Sequence, residues 1–149
     1  MRSTLIAAVL LVFLAGCKMN TADEGYVAVI ETGTGEHVLD VELARTDEEL
    51  EKGLMFRERL DEGQAMLFIF PDEEIKAFWM KNTLIPLDII FISSAKVIVD
   101  IKTAEPCHSG SCPLFISSSP AKYVIEANAG FASTNNISIG DKVILPATD

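Results

Sequence analysis

The chain has no run of basic residues, no phosphate-cradling glycine loop and no dinucleotide fingerprint, so nucleotide binding has no footing in it. Twelve lysines and arginines stand against 22 aspartates and glutamates, a net charge of −10 at pH 7. Such a surface repels phosphate backbones and anionic head groups, which argues against a nucleic-acid partner. With only two histidines, His37 and His108, and no serine elbow, the sequence offers neither a His–acid dyad nor an activated serine. Two cysteines and one histidine, Cys107, His108 and Cys112, are an incomplete zinc set, and no cofactor is expected. The absence of internal repeats and low-complexity tracts excludes solenoids and disordered arrays.

What is present begins with a targeting signal. Arg2 precedes the apolar run Leu5 to Leu14, too short for a permanent membrane span. The run ends in Leu14-Ala15-Gly16-Cys17, which resembles a bacterial lipoprotein cleavage box. The expectation is a signal peptide over 1–16, acyl chains on Cys17, a short tether to residue 25 and one domain over 26–149. The domain would face the periplasm from a lipid anchor. Lys18, rather than aspartate, favours the outer membrane if the cell has two. The alternative is an ordinary secretory signal with a coincidental cysteine. In an oxidising compartment, Cys107 and Cys112 read as a disulfide closing a small loop. A soft-metal site including His108 is the competing reading.

The densest apolar stretch after the signal is Phe78 to Ile92, which contains the single tryptophan, Trp79. It reads as two strands joined by a turn at Asn82, Thr83 and Pro86. Alternation puts Leu87, Ile89 and Phe91 on one face of the second strand, and Asp88, Ile90 and Ile92 on the other. Asp88 is thus an acid on an aliphatic face and needs a cation, donors or a cleft. Lys81 and Arg57 are the nominated partners. Glu126 repeats the anomaly in the strand Lys122 to Ala127. Val97 to Ile101 should extend a meander, and Ile137 to Leu145 reads as a closing hairpin-like segment.

Elsewhere the signals are local. Leu39, Val41 and Leu43 alternate with Asp40 and Glu42. Thr46-Asp47-Glu48-Glu49 is a capping box, opening a helix that should stop at Gly53. Ala65 to Phe70 reads as a buried strand closed by Pro71, and residues 129–135 as a short helix.

Gly53-Leu54-Met55-Phe56-Arg57, Met66-Leu67-Phe68, Phe78-Trp79-Met80-Lys81-Asn82-Thr83 and Ile85-Pro86-Leu87-Asp88 occur in that order, followed by Val124-Ile125-Glu126. In this set the chain resembles the DUF192 (UPF0127) family of uncharacterised proteins. The resemblance implies a mainly β, compact, jelly-roll-like sandwich or partly open barrel with one or two short helices, and no established activity. It singles out Arg57 over Arg59.

Arg57, Trp79, Lys81, Asn82, Asp88 and Glu126 are therefore the candidate ligand-binding residues. Three accounts stand beside an ion-pair network that only fixes register. The first is a binding module for a small molecule or a protein, with Trp79 as a stacking wall. The second is a hydrolase using Asp88 and Glu126 as a carboxylate pair. The third is a purely structural envelope protein.

Overall fold

The computed structural model describes residues 25–108 and 110–147. The expected signal peptide, Cys17 and nearly all of the tether lie outside them.

The described residues form nine strands and two short helices in the order β1 (Tyr26–Thr32), β2 (Gly35–Ala44), α1 (Asp47–Lys52), β3 (Gln64–Glu74), β4 (Ala77–Trp79), β5 (Leu87–Ile92), β6 (Ile98–Ala104), β7 (Leu114–Ile116), β8 (Ala121–Asn128), α2 (Phe131–Thr134) and β9 (Lys142–Ile144). Seven strands make one sheet in the order β6-β5-β8-β3-β2-β1-β9. Only β2 and β3 pair in parallel, because α1 carries the chain across between them. The sheet curls until its ends meet. Val97 bridges to Lys142, and the amides of Ile98 and Val143 donate to the carbonyls of Asp141 and Lys96. Of the expected architectures, this is the partly open barrel.

The curled sheet is apolar on both faces. Leu39, Val41, Leu67, Ile90, Ile92, Ile125 and Val143 fill the concave side, where Ala132 of α2 and Ile137 join them. Phe68, Leu87, Ile89, Phe91 and Val124 form a second core on the convex side, covered by Leu54, Leu60 and Met80. Along β5 and β8 successive residues alternate between these two cores, whereas on β2 Leu39 and Val41 face the first core and Asp40 and Glu42 face solvent, as the sequence pattern implies.

The capping box forms as expected. The Glu49 amide donates to Thr46 Oγ1 at 3.3 Å, and Glu49 Oε2 accepts from the Thr46 amide at 3.0 Å. Cys107 and Cys112 are joined, with Cα atoms 5.7 Å apart, so the disulfide reading holds over the metal one.

Three expectations fail. Phe78 to Ile92 is not a hairpin: β4 pairs with β7 in a separate two-stranded ribbon, while β5 pairs with β6 and β8. Pro71 does not end β3, which runs to Glu74; its register with β8 shifts between Ile69 and Glu74, where a proline's missing N–H is tolerated. The last segment is no hairpin either, since β9 pairs with β1.

Candidate functional site

The strand registers decide first which acids can act together. Asp88 lies opposite Ala127 and Thr103, so it points to the concave core. Glu126 lies opposite Ile89 and Met66, so it points to the convex side. The two carboxylates are on opposite faces of one sheet and cannot flank one bond, which removes the proposed hydrolase pair.

Asp88 is satisfied internally. Its Oδ1 accepts from Thr103 Oγ1 at 2.7 Å and its Oδ2 from the Ala132 amide at 2.9 Å. Ala132 is in the first turn of α2, whose N-cap, Gly130, supplies no side-chain bond. Asp88 therefore caps α2 from the neighbouring sheet.

Neither nominated cation reaches an anomalous acid. Arg57 forks onto both carboxylate oxygens of Glu42, holding that carboxyl below its ordinary range. Exposed Lys81 stands 5.0 Å from the Trp79 ring. Both side chains are at least a third solvated, so each contributes little. Arg57→Ala and Lys81→Ala are each expected to cost under about 1 kcal/mol in urea unfolding.

Glu126 is different. It is 5% exposed, and no hydrogen bond reaches its carboxyl among the described residues. Burial alone pushes its pKa up to about 8. The carboxyl lines a solvent-open cavity of about 190 Å³. Phe68, Phe70, Phe78 and Trp79 form the walls, with Gly53, Leu54, Met55 and Thr83 between them. Phe78 organises the aromatic set, standing edge-on to Phe68 at 5.2 Å, Phe91 at 5.8 Å and Phe70 at 6.3 Å. Trp79, 40% exposed, also borders an adjoining groove of about 580 Å³ with Lys81, Asn82, Leu84, His108 and the disulfide.

Two turns close the pocket. Gly53 ends α1 at φ 46°, a left-handed conformation natural to glycine. A Cβ there would sit 3.0 Å from Phe68 Cζ and 3.6 Å from Glu126 Oε2. Gly53→Ala should therefore cost about 1–3 kcal/mol in a urea melt and narrow the cavity. The second turn holds Asn82 at φ 59°; its carbonyl accepts from the amide of Phe56, at φ 65°, over 2.8 Å. That bond ties the 53–57 stretch to the 78–83 stretch. Four of the five stretches that carried the family resemblance thus contribute to one pocket, through Gly53, Phe68, Phe78 with Trp79, and Glu126.

A family model described as "DUF192: Uncharacterized ACR" matches residues 28–145. The chain belongs to the DUF192 family. It is 33% identical over 96 residues to the UPF0127 protein PYRAB11210 of Pyrococcus abyssi, covering 61% of this chain and 73% of that one. A protein of unknown function from Novosphingobium aromaticivorans superposes with a TM-score of 0.74 at 37% identity, over 79% of this chain and 83% of that one. A Sinorhizobium meliloti protein called a "putative transcription regulator" superposes with the same TM-score and identity, over 80% of this chain and 92% of its own. This DUF192 chain thus shares its fold with relatives whose names assign no chemistry to the pocket.

Of the six candidate residues, Glu126 and Trp79 meet at the cavity. Lys81 and Asn82 flank the adjoining groove, and Arg57 and Asp88 lie elsewhere. Phe68, Phe78 and Gly53 were not singled out from sequence as site residues, although the motif stretches contained all three. Lys76 was missed as a buried residue. It is 6% exposed, bonded to Glu74 at 2.7 Å and 4.2 Å from the Phe70 ring, with both backbone polar groups bonded to Ser117.

Proposed function

We propose that this protein is a lipid-anchored, envelope-facing binding module whose ligand enters the Glu126 pocket. The observation that carries the reading is the carboxyl of a buried residue, Glu126, which faces an aromatic cavity open to solvent and has no hydrogen bond from the described residues. A few polar groups set among apolar and aromatic walls in a concave site are the usual make-up of a small-ligand pocket. The anchor rests on Leu14-Ala15-Gly16-Cys17, and the acidic surface disfavours nucleic acid. Palmitate labelling that is lost in Cys17→Ser tests the anchor.

The binding reading is tested by thermal shift of the full-length chain against small amines, sugars, short peptides and nucleotides. A ligand at a hundred times its Kd stabilises by about 2.7 kcal/mol. The expected result is a shift of several degrees that shrinks in Glu126→Gln; no shift anywhere returns the protein to a structural role.

A second reading has its own support. A carboxyl that holds its proton near pH 8 is suited to general-acid work. Turnover of a bound ligand, abolished in Glu126→Gln, would make the module an enzyme with one catalytic carboxyl.

A further inference from the structure

The pocket also limits the chemistry of its occupant, on the reading that it binds a ligand at all. Its volume, about 190 Å³, is that of a small molecule or the head group of a larger one. Its polar lining is sparse. Among the described residues, its polar side chains are Glu126, buried Thr83, exposed Glu51 and Lys52, and Trp79 with its indole N–H. A sugar would find few partners there, and an anion would find no cation in the lining except exposed Lys52. A hard metal ion needs six or more oxygens, and the described residues contain no cluster of three metal-ligating side chains. What remains is an organic cation, which a carboxylate and ring faces bind together.

We propose that this pocket binds a small alkylammonium group on a narrow aliphatic stem, with Glu126 as counter-ion and Phe68, Phe78 and Trp79 as walls. The surrounding charges leave that role to Glu126. From α1, Glu51 and Lys52 line the pocket, both exposed. Lys76 sits over Phe70 and Lys81 over Trp79, so among the described residues Phe68 and Phe78 are wall rings without a lysine over them. The linings from β3 and β4, and Thr83, bring no further charge. The protein's excess of acid draws cations towards it.

The binding step balances simply. Below about pH 8 the free site is R–COOH. Binding R′–NH₃⁺ gives the ion pair and releases one proton to solvent. Affinity should therefore rise with pH to about 8, level off, and fall as the amine itself loses its proton near pH 10.

The test uses the full-length chain and the fluorescence of Trp79, its single tryptophan. Butylamine, cadaverine and Nα-acetyl-lysine amide are titrated at pH 6, 7, 8 and 9, with butanol and butyrate as neutral and anionic controls. The expected result is saturable quenching or a spectral shift by the amines. Binding at pH 8 should be on the order of fifty-fold tighter than at pH 6, with about one proton released per ligand at pH 6 and about half a proton at pH 8 by calorimetry in two buffers. Glu126→Gln, checked for folding by near-ultraviolet circular dichroism, should lose amine binding. A stronger response to cadaverine points to a free diamine, and a stronger response to the lysine amide points to a peptide side chain; both support the site. Amine binding that is flat with pH, or unchanged in Glu126→Gln, overturns the cation assignment. Preferential binding of butanol overturns it too, while leaving the pocket a ligand site. Silence from every compound, including the wider thermal-shift panel, overturns the binding reading itself.

Discussion

Glu126→Gln should make the protein more stable at alkaline pH, and by more than any other single change considered. The sign follows from proton binding. An unfolded glutamate loses its proton near pH 4.5, whereas Glu126 in the folded chain holds it to about pH 8. Between those values the folded state carries one extra proton, so stability falls as pH rises and levels off above 8. The full span amounts to roughly 4–5 kcal/mol. Glutamine imitates the neutral acid and removes this dependence. Wild type and variant should melt together near pH 4.5, and the variant should melt on the order of 10 °C higher at pH 9. Superimposable melting curves at pH 9 would mean that Glu126 ionises freely and the pocket is wet. The opposite limb belongs to Glu42, Glu49, Glu73 and Asp100, whose folded pKa values are lowered. Their contribution is present above the ordinary carboxylate range and lost as pH falls through the lowered values. The two limbs together place maximum stability near pH 5–6.

Asp88→Ala is expected to destabilise the domain by about 2–4 kcal/mol, through a different mechanism. The buried amide of Ala132 loses its acceptor, α2 loses its cap, and a small void opens on the concave face. Thr103→Val removes only one of the two donors and should cost about 1 kcal/mol. In a double-mutant cycle the two losses should sum to more than the double variant shows, because they share one carboxylate. Full additivity would separate Thr103 from Asp88.

How much of this was legible in the sequence depended on range. The capping box and the stop at Gly53 are local chemistry, and both were read from adjacent residues. Strict alternation marked Asp88 and Glu126 as anomalies without any structure. Their partners were not readable, because cross-strand register and the position of α2 are set by contacts distant in sequence. Nothing local says that Ala77–Trp79 pairs with Leu114–Ile116, beyond the disulfide loop. A hairpin is the nearest pairing, and it makes Lys81 one of two candidate partners for Asp88. Arg57 was likewise read towards the acids of the core, when Glu42 on β2 was in reach. The pocket was half legible: the motif stretches named its pieces, and only the curl of the sheet brought them together.

That curl has a consequence for self-association. The closing contacts of Val97 and Ile98 with residues 140–142 occupy backbone groups at one end of β6, while β9 occupies those of Val29–Glu31 on β1. An unpaired strand edge is a template on which another copy of a chain can add. Three residues at the far end of the chain, Lys142–Ile144, thus act as a stopper against polymerisation. A chain cut before Gly140 would keep most of its packing yet present the β1 edge to its neighbours, and fibre formation, more than unfolding, would be its characteristic failure.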